Sequence, residues 1–279
     1  MAEFTAEQLV GIARAQALPA SARLIRDWVD LGLLDRPRKR GLGRGRGTTA
    51  VWDENQKDLL LVLLGHRRDE GASVPALCNV PVSLWLLWGD AYAPVRQVRR
   101  ALTTWGRSAR ASSLARAELV ARDALGRLGE DSASRAHKMR FRELIADIQA
   151  GSPIDEDLLR RFARAAIDPP SGAARGPDGA PLSGDIYVDG VMALDRGLDS
   201  LPDVSTAVLE EARRRYRWSR EVYAQDQPRL ARDPDLGHLF PAPTFQDLAA
   251  NACRDLLLIV GLLLVEQDSE RGAREAGMG

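Results

Sequence analysis

Between Arg36 and Arg46 the chain carries six basic residues (Arg36, Arg38, Lys39, Arg40, Arg44 and Arg46) and no acid, with Gly41, Gly43, Gly45 and Gly47 set among them. So much positive charge on so much glycine makes a flexible, positively charged loop. Its flanks are ordered by pattern. Pro19 stands at the first turn of a helix on which Leu24, Ile25, Trp28, Val29 and Leu31 recur near helical spacing. Gly32 ends that helix, and Leu33 and Leu34 turn back into a core. After the loop, Thr48 to Trp52 is β-prone, and Asp53 is a natural N-cap for the next helix. Upstream, Thr5 and Gln8 form a capping box that opens a helix through about Gln16, with Leu9, Ile12 and Ala13 facing inward and Ala17-Leu18-Pro19 as the turn.

Helix, turn, helix, basic glycine-rich loop, strand, helix is the order of a winged helix-turn-helix. The segment resembles the MerR-type bacterial DNA-binding proteins, with excisionase-like heads as close relatives. The resemblance rests on Arg26-Asp27-Trp28 followed by Gly32-Leu33-Leu34, then Pro37-Arg38, then Val51-Trp52. It covers roughly the first quarter of the chain. The wing is longer and richer in Gly and Arg than is usual in that family, and no long dimerisation helix follows at once. The resemblance implies that Arg26 and Trp28 touch the DNA backbone and that residues around Ser21 and Arg23 face base edges. The wing cations Arg36, Arg38, Lys39, Arg40, Arg44 and Arg46 would then lie along phosphates or enter the neighbouring minor groove.

Lys plus Arg equals Asp plus Glu at 39 each, so the overall balance says nothing about partners, whereas its concentration in the wing does. The only lysines are Lys39, Lys57 and Lys138. That bias to arginine, with abundant Ala and Gly, suggests a GC-rich genome, actinobacterial or of an actinobacterial phage. Cys78 and Cys253 have no paired spacing, which fits a reducing compartment and gives neither a disulfide framework nor a zinc signature. Residues 1–10 lack the apolar core of a signal peptide. The most apolar run, Leu256 to Val265, is about half the length needed to span a bilayer. A cytoplasmic, nucleoid-associated protein without membrane contact is the expectation.

The expected fold class is mainly α, with a winged helix-turn-helix over residues 1–70 and an all-helical body over 71–279. Asp53 to His66 reads as a third helix and Gly71 to Pro81 as a loop. Trp85, Trp88, Tyr92 and Trp105 could form a platform for an unpaired base, but their Leu and Val neighbours favour plain packing. Ser112 to Ile148 is helical with a break near residues 129–134, and Asp155 to Ile167 is a short helix. The Pro-, Gly- and Ser-rich stretch 168–185 is a long flexible loop or linker, and Ile186 to Met192 a brief strand or extended segment. A helix from Val204 to Tyr223 carries Arg213, Arg214, Arg215, Arg217 and Arg220 with Tyr216, Trp218 and Tyr223 interleaved, a second candidate nucleic-acid surface. Its arginines are nevertheless expected to pair with Glu210, Glu211 and Glu221 while the aromatics pack inward. Thr244 caps an apolar helix, which is either the centre of the body or a homodimer interface, and Ser269 to Gly279 is a polar tail.

No catalytic constellation emerges. His66, His137 and His238 are isolated, and the sequence has no HExxH, no CxxC and no P-loop. The expectation is therefore not an enzyme, with no cofactor and no metal. The leading reading is a sequence-specific transcriptional regulator on double-stranded DNA, acting as a homodimer and in contact with RNA polymerase. The alternative is a recombination accessory factor, excisionase-like, that binds DNA and an integrase.

Overall fold

The structure, a computed structural model, describes residues 2–41, 47–110, 134–149, 152–167, 183–232, 242 and 244–276. It is mainly α-helical, with ten α-helices, one 3₁₀ turn and a three-stranded antiparallel sheet among the described residues. The chain forms two compact units. The first comprises Met1–Gly106, Leu201–Thr206 and Thr244–Cys253, and the second Arg107–Ser200, Ala207–Pro243 and Arg254–Gly279.

In the first unit, β1 (Glu3–Phe4) leads into α1 (Ala6–Ala15), α2 (Ala22–Asp30), β2 (Arg38–Gly41), β3 (Thr48–Asp53), α3 (Glu54–Asp69), α4 (Val74–Trp88) and α5 (Val95–Arg110). Thr5 and Gln8 cap α1 reciprocally. The helix α2 begins later than Pro19 suggests. Ser21, in extended backbone, accepts the Leu24 N–H at 3.1 Å, and a capping hydroxyl in that conformation sets the start. Proline alone only permits one. The end of α2 follows the pattern: the N–H groups of Leu33 and Leu34 both donate to the Trp28 carbonyl, with Gly32 between at φ 79°. The central strand is β3, with β1 and β2 antiparallel on either side; Phe4 opposes Trp52 and Lys39 opposes Ala50.

Ile25 and Trp28 of α2, Leu33, Leu34, and Leu60 and Leu63 of α3 are each at most 1% exposed and make the core. Burying each such side chain contributes about 1.5–3 kcal/mol. The segment 71–81 is not a loop. Apart from Ser73 as N-cap, its residues from Val74 belong to α4, which takes Pro75 in its first turn and Pro81 in its interior. Proline is tolerated in a first turn because the N–H it removes has no helical partner there.

The boundary expected at residue 70 falls inside this unit. Polar side chains of α5 reach the turn after α2: Gln97 Nε2 donates to the Leu33 carbonyl at 2.9 Å, and Thr104 Oγ1 to the Leu31 carbonyl at 2.9 Å. The Cys253 N–H also donates to Asn79 Oδ1 at 2.9 Å.

The second unit contains α6 (Arg135–Gln149), α7 (Glu156–Ile167), α8 (Gly184–Asp199), nearly all of α9 (Thr206–Leu230) and the greater part of α10 (Phe245–Ala276). Phe141, Ile145, Leu159, Ala163, Ala166 and Val188 form one of its core clusters. The strand expected at 186–192 is helical instead. Ser183 accepts the Ile186 N–H at 3.2 Å and opens α8, and Gly184 lets that start lie against the Ala163 backbone. Packing against α7 thus overrides the β-propensity of Ile186-Tyr187-Val188. Of the expected linker 168–185, only residues 183–185 are described. The break expected at 129–134 and most of the helix expected from Ser112 lie outside the described residues. The helix α10 continues to Ala276, where a polar tail was expected from Ser269.

Candidate nucleic-acid interface

The outer face of α2 is set by what its inner face buries. Ile25, Trp28 and Val29 turn inward, which leaves Ser21, Arg23, Arg26, Asp27 and Asp30 exposed. The Ser21 oxygen is committed to the helix cap, but its hydroxyl hydrogen remains free to donate. Arg23 is 86% exposed and lies 3.9 Å from Asp27, a loose pair. Arg26 has no hydrogen-bond or ion-pair partner among the described residues. Trp28 is 1% exposed, so its indole is core. The expectation that it touches DNA is corrected here: a ring of that size on the Ile25–Val29 stripe is held under the helix.

The wing is a hairpin at its base. Arg38, Lys39 and Arg40 belong to β2, paired with Val51, Ala50 and Thr49 of β3. Alternation puts Arg38 and Arg40 on one face and Lys39 on the other. Arg40 lies 3.2 Å and Arg38 3.8 Å from the Glu3 carboxylate. Arg36 and Lys39 are exposed, with no side-chain partner among the described residues. Arg44 and Arg46 lie outside the described residues, as do the glycines between them.

What holds α2 and the wing in register is a buried polar network that sequence reading missed. Asp35, 8% exposed at its side chain, meets Arg96 at 2.5 Å and Arg100 at 3.3 Å. Its N–H donates to Gln56 Oε1 at 2.7 Å, and its carbonyl accepts Trp52 Nε1 at 2.9 Å. Gln56 Nε2 donates in turn to Gln97 Oε1 at 3.1 Å. Arg100 donates as well to the Val29 and Leu34 carbonyls, placing a cation at the C-terminal end of α2 where its dipole favours one.

Burial pushes the Asp35 carboxyl up, but hydrogen bonds from Arg96, the Arg36 backbone and Arg100, with the Arg96 charge, outweigh it and hold the group below the usual aspartate range. A depressed carboxylate stabilises the fold above its unfolded pKa of about 3.9, and that contribution is lost as pH falls through the folded value. Asp35→Asn should therefore lower stability at neutral pH and flatten the decline below about pH 4. Urea titrations at several pH values measure this; an unchanged acid limb would mean that Asp35 is not paired.

One further cation joins the α2 surface. Arg67, in the last turn of α3, is exposed and has no partner among the described residues. With Pro19, Ala20, Ser21, Leu24 and Leu64 it lines an open depression at the start of α2. The sequence signal was present as three basic residues ending α3, but such residues also simply complement a helix C-terminus. Its neighbour Arg68 is tied to Asp69 at 2.6 Å.

The other surfaces weighed for nucleic acid divide. Trp85 is buried, with its Nε1 donating to Asp90 at 3.0 Å, while Trp88 and Tyr92 are 52% and 45% exposed with ring centroids 5.6 Å apart. On α9, Arg214 pairs with Glu211 and Arg215 with Glu211 and Glu266. Tyr216 is buried as expected, but Trp218 points outward at 67% exposure.

Both cysteines are buried and form no disulfide, and burial pushes the Cys78 thiol up to about 12. His66 pairs with Glu70 at 3.0 Å, and His137 lies beside Phe162. His238 lies outside the described residues. Among the described residues no three His, Cys, Asp or Glu side chains come together as a metal site, and no helix is long and apolar enough to cross a membrane. No family model matches the chain, and no curated protein or solved structure is significantly similar to it.

Proposed function

We propose that the chain is a sequence-specific double-stranded-DNA-binding protein whose first unit acts as a MerR-like winged helix-turn-helix. The observation that carries this reading is the sorting of charge. Side chains of the first unit such as Asp35 and Arg100 are paired and packed, whereas Arg26, Arg36, Lys39 and Arg67 stand around α2 and the wing with no side-chain partner among the described residues. Four such cations beside one short helix pair suit a phosphate lattice.

In this reading α2 enters the major groove. Arg23 and Arg26 read base edges or clamp adjacent phosphates, and Ser21 donates its hydroxyl. Lys39 and Arg36 follow the backbone, with Arg67 on the phosphates beside the start of α2. Two-fold dimerisation would supply the remaining affinity and an inverted-repeat site. RNA polymerase is the expected protein partner of a regulator, and association with the nucleoid follows from DNA binding.

Genome-wide capture with the purified protein at two salt concentrations tests this. Enriched inverted repeats upstream of genes support a dimeric regulator. Enrichment at one attachment-like locus would replace it with the recombination-accessory reading, in which an integrase is the partner. No salt-sensitive DNA binding would overturn both.

Arg26→Ala should weaken specific binding about tenfold or more and relax base preference. Arg36→Ala with Lys39→Ala should weaken all sequences alike and lower the log–log salt slope by about two. Neither should move the unfolding temperature by more than about a degree or two, since exposed unpaired side chains contribute little to stability. A large thermal shift would make these residues structural and remove them from the interface.

A further inference from the structure

We propose that Glu3 is an internal competitor for the wing's arginines, one that weakens their hold on DNA phosphate and so limits non-sequence-specific binding. This rests on the DNA-binding reading above. The strand β1 is only two residues long and places Glu3 opposite Asp53 on β3. The β2–β3 register sets Arg38 opposite Val51 and Arg40 opposite Thr49. Asp53, Val51 and Thr49 alternate onto one face of the central strand, so Glu3 reaches across β3 toward Arg38 and Arg40. Its carboxylate meets both, at 3.8 Å and 3.2 Å. Asp53, the other acid on that face, is occupied in capping α3 through the Gln56 N–H at 3.0 Å.

One carboxylate therefore serves two guanidinium groups, and the wing holds two classes of cation. Arg36 and Lys39 are free to meet phosphate at once. Arg38 and Arg40 stay 57% and 63% exposed and must share or leave Glu3 to do so. Exposed ion pairs are weak, so this competition tunes affinity and does not block it. A phosphate that displaces Glu3 also leaves a carboxylate to be neutralised by solvent cations, which offsets part of the counterion release. Glu3 thus lowers both the affinity for arbitrary sequence and its salt dependence. Base-edge contacts from α2 are untouched, so discrimination between sequences stays with α2 while the sequence-independent part of the affinity falls.

The test compares wild type with Glu3→Gln on a mixed-sequence DNA duplex across a salt series, read by fluorescence anisotropy with thermal unfolding as a control. Glu3→Gln should bind up to about fivefold more tightly at low salt, with a log–log slope steeper by up to about one. In an Arg38→Ala, Arg40→Ala background the same change should have no effect. Equal or weaker binding by a folded Glu3→Gln overturns the proposal while leaving the DNA-binding reading standing. Failure of the wild type to bind DNA at any salt overturns both. Should Glu3→Gln not fold, Glu3→Asp decides: its charge is kept but withdrawn by one methylene, so it must bind more tightly than wild type or the proposal fails.

Discussion

Gly32→Ala should destabilise the first unit by about 3 kcal/mol or more, enough to unfold a domain of ordinary stability in mild urea. Two independent costs add. The residue sits at φ 79°, where an L side chain is strained by about 1–2 kcal/mol. A methyl group there would also lie 2.2 Å from the Ala101 nitrogen and 2.6 Å from the Arg100 carbonyl carbon. Those are backbone atoms within α5, which cannot step aside as a flexible side chain could. The glycine at this point thus meets two demands: it closes α2 and admits the α5 backbone. Chemical denaturation of the full chain measures the effect, and a loss below about 1 kcal/mol would mean that the end of α2 does not rest on α5.

The second large effect concerns a fragment. Residues 1–70, the head as sequence reading bounds it, should not fold alone. Cutting there removes α5 and with it Arg96, Gln97 and Arg100, leaving Asp35 and the Leu33 and Leu34 carbonyls without these partners. Removing the partners of a buried charge costs about 3–5 kcal/mol, before the loss of apolar cover is counted. Cover goes too, since Val98, Ala101 and Leu102 of α5 are fully buried in the intact unit. An amide proton spectrum collapsed into the random-coil range is the expected result. Dispersed resonances for 1–70 would show that the α1–α3 core suffices, and that the α5 contacts are an addition to it.

What was legible in the sequence was local. The Thr5 capping box, the Asp53 cap, the burial of Leu33 and Leu34 and the pairing of α9 arginines with Glu210 and Glu211 each depend on residues a few positions apart. The buried network was not legible, because its members are distant: Gln56 and Gln97 are 41 positions apart, Asp35 and Arg96 61. An isolated Asp, two Gln and an Arg carry no periodic signal. Two helices were missed for opposite reasons. In 71–81, Pro75 and Pro81 hide the start of α4, although Pro75 lies in its first turn. Ile186-Tyr187-Val188 reads as β, although Ser183 with Asp185 in the following turn is a helix-start signature. Trp28 was assigned to a phosphate by resemblance while its own spacing from Ile25 and Val29 put it in the core. The spacing decided, because the Ile25–Val29 stripe gives the ring a place under the helix where its large apolar area is removed from water.

The link from Arg100 to the Val29 and Leu34 carbonyls, with Thr104 on Leu31, makes the end of α2 and the middle of α5 a single mechanical piece. These are directed bonds to three backbone carbonyls at and just beyond the end of α2. A displacement of α5 at this point would carry the end of α2 with it, as a lever carries its load.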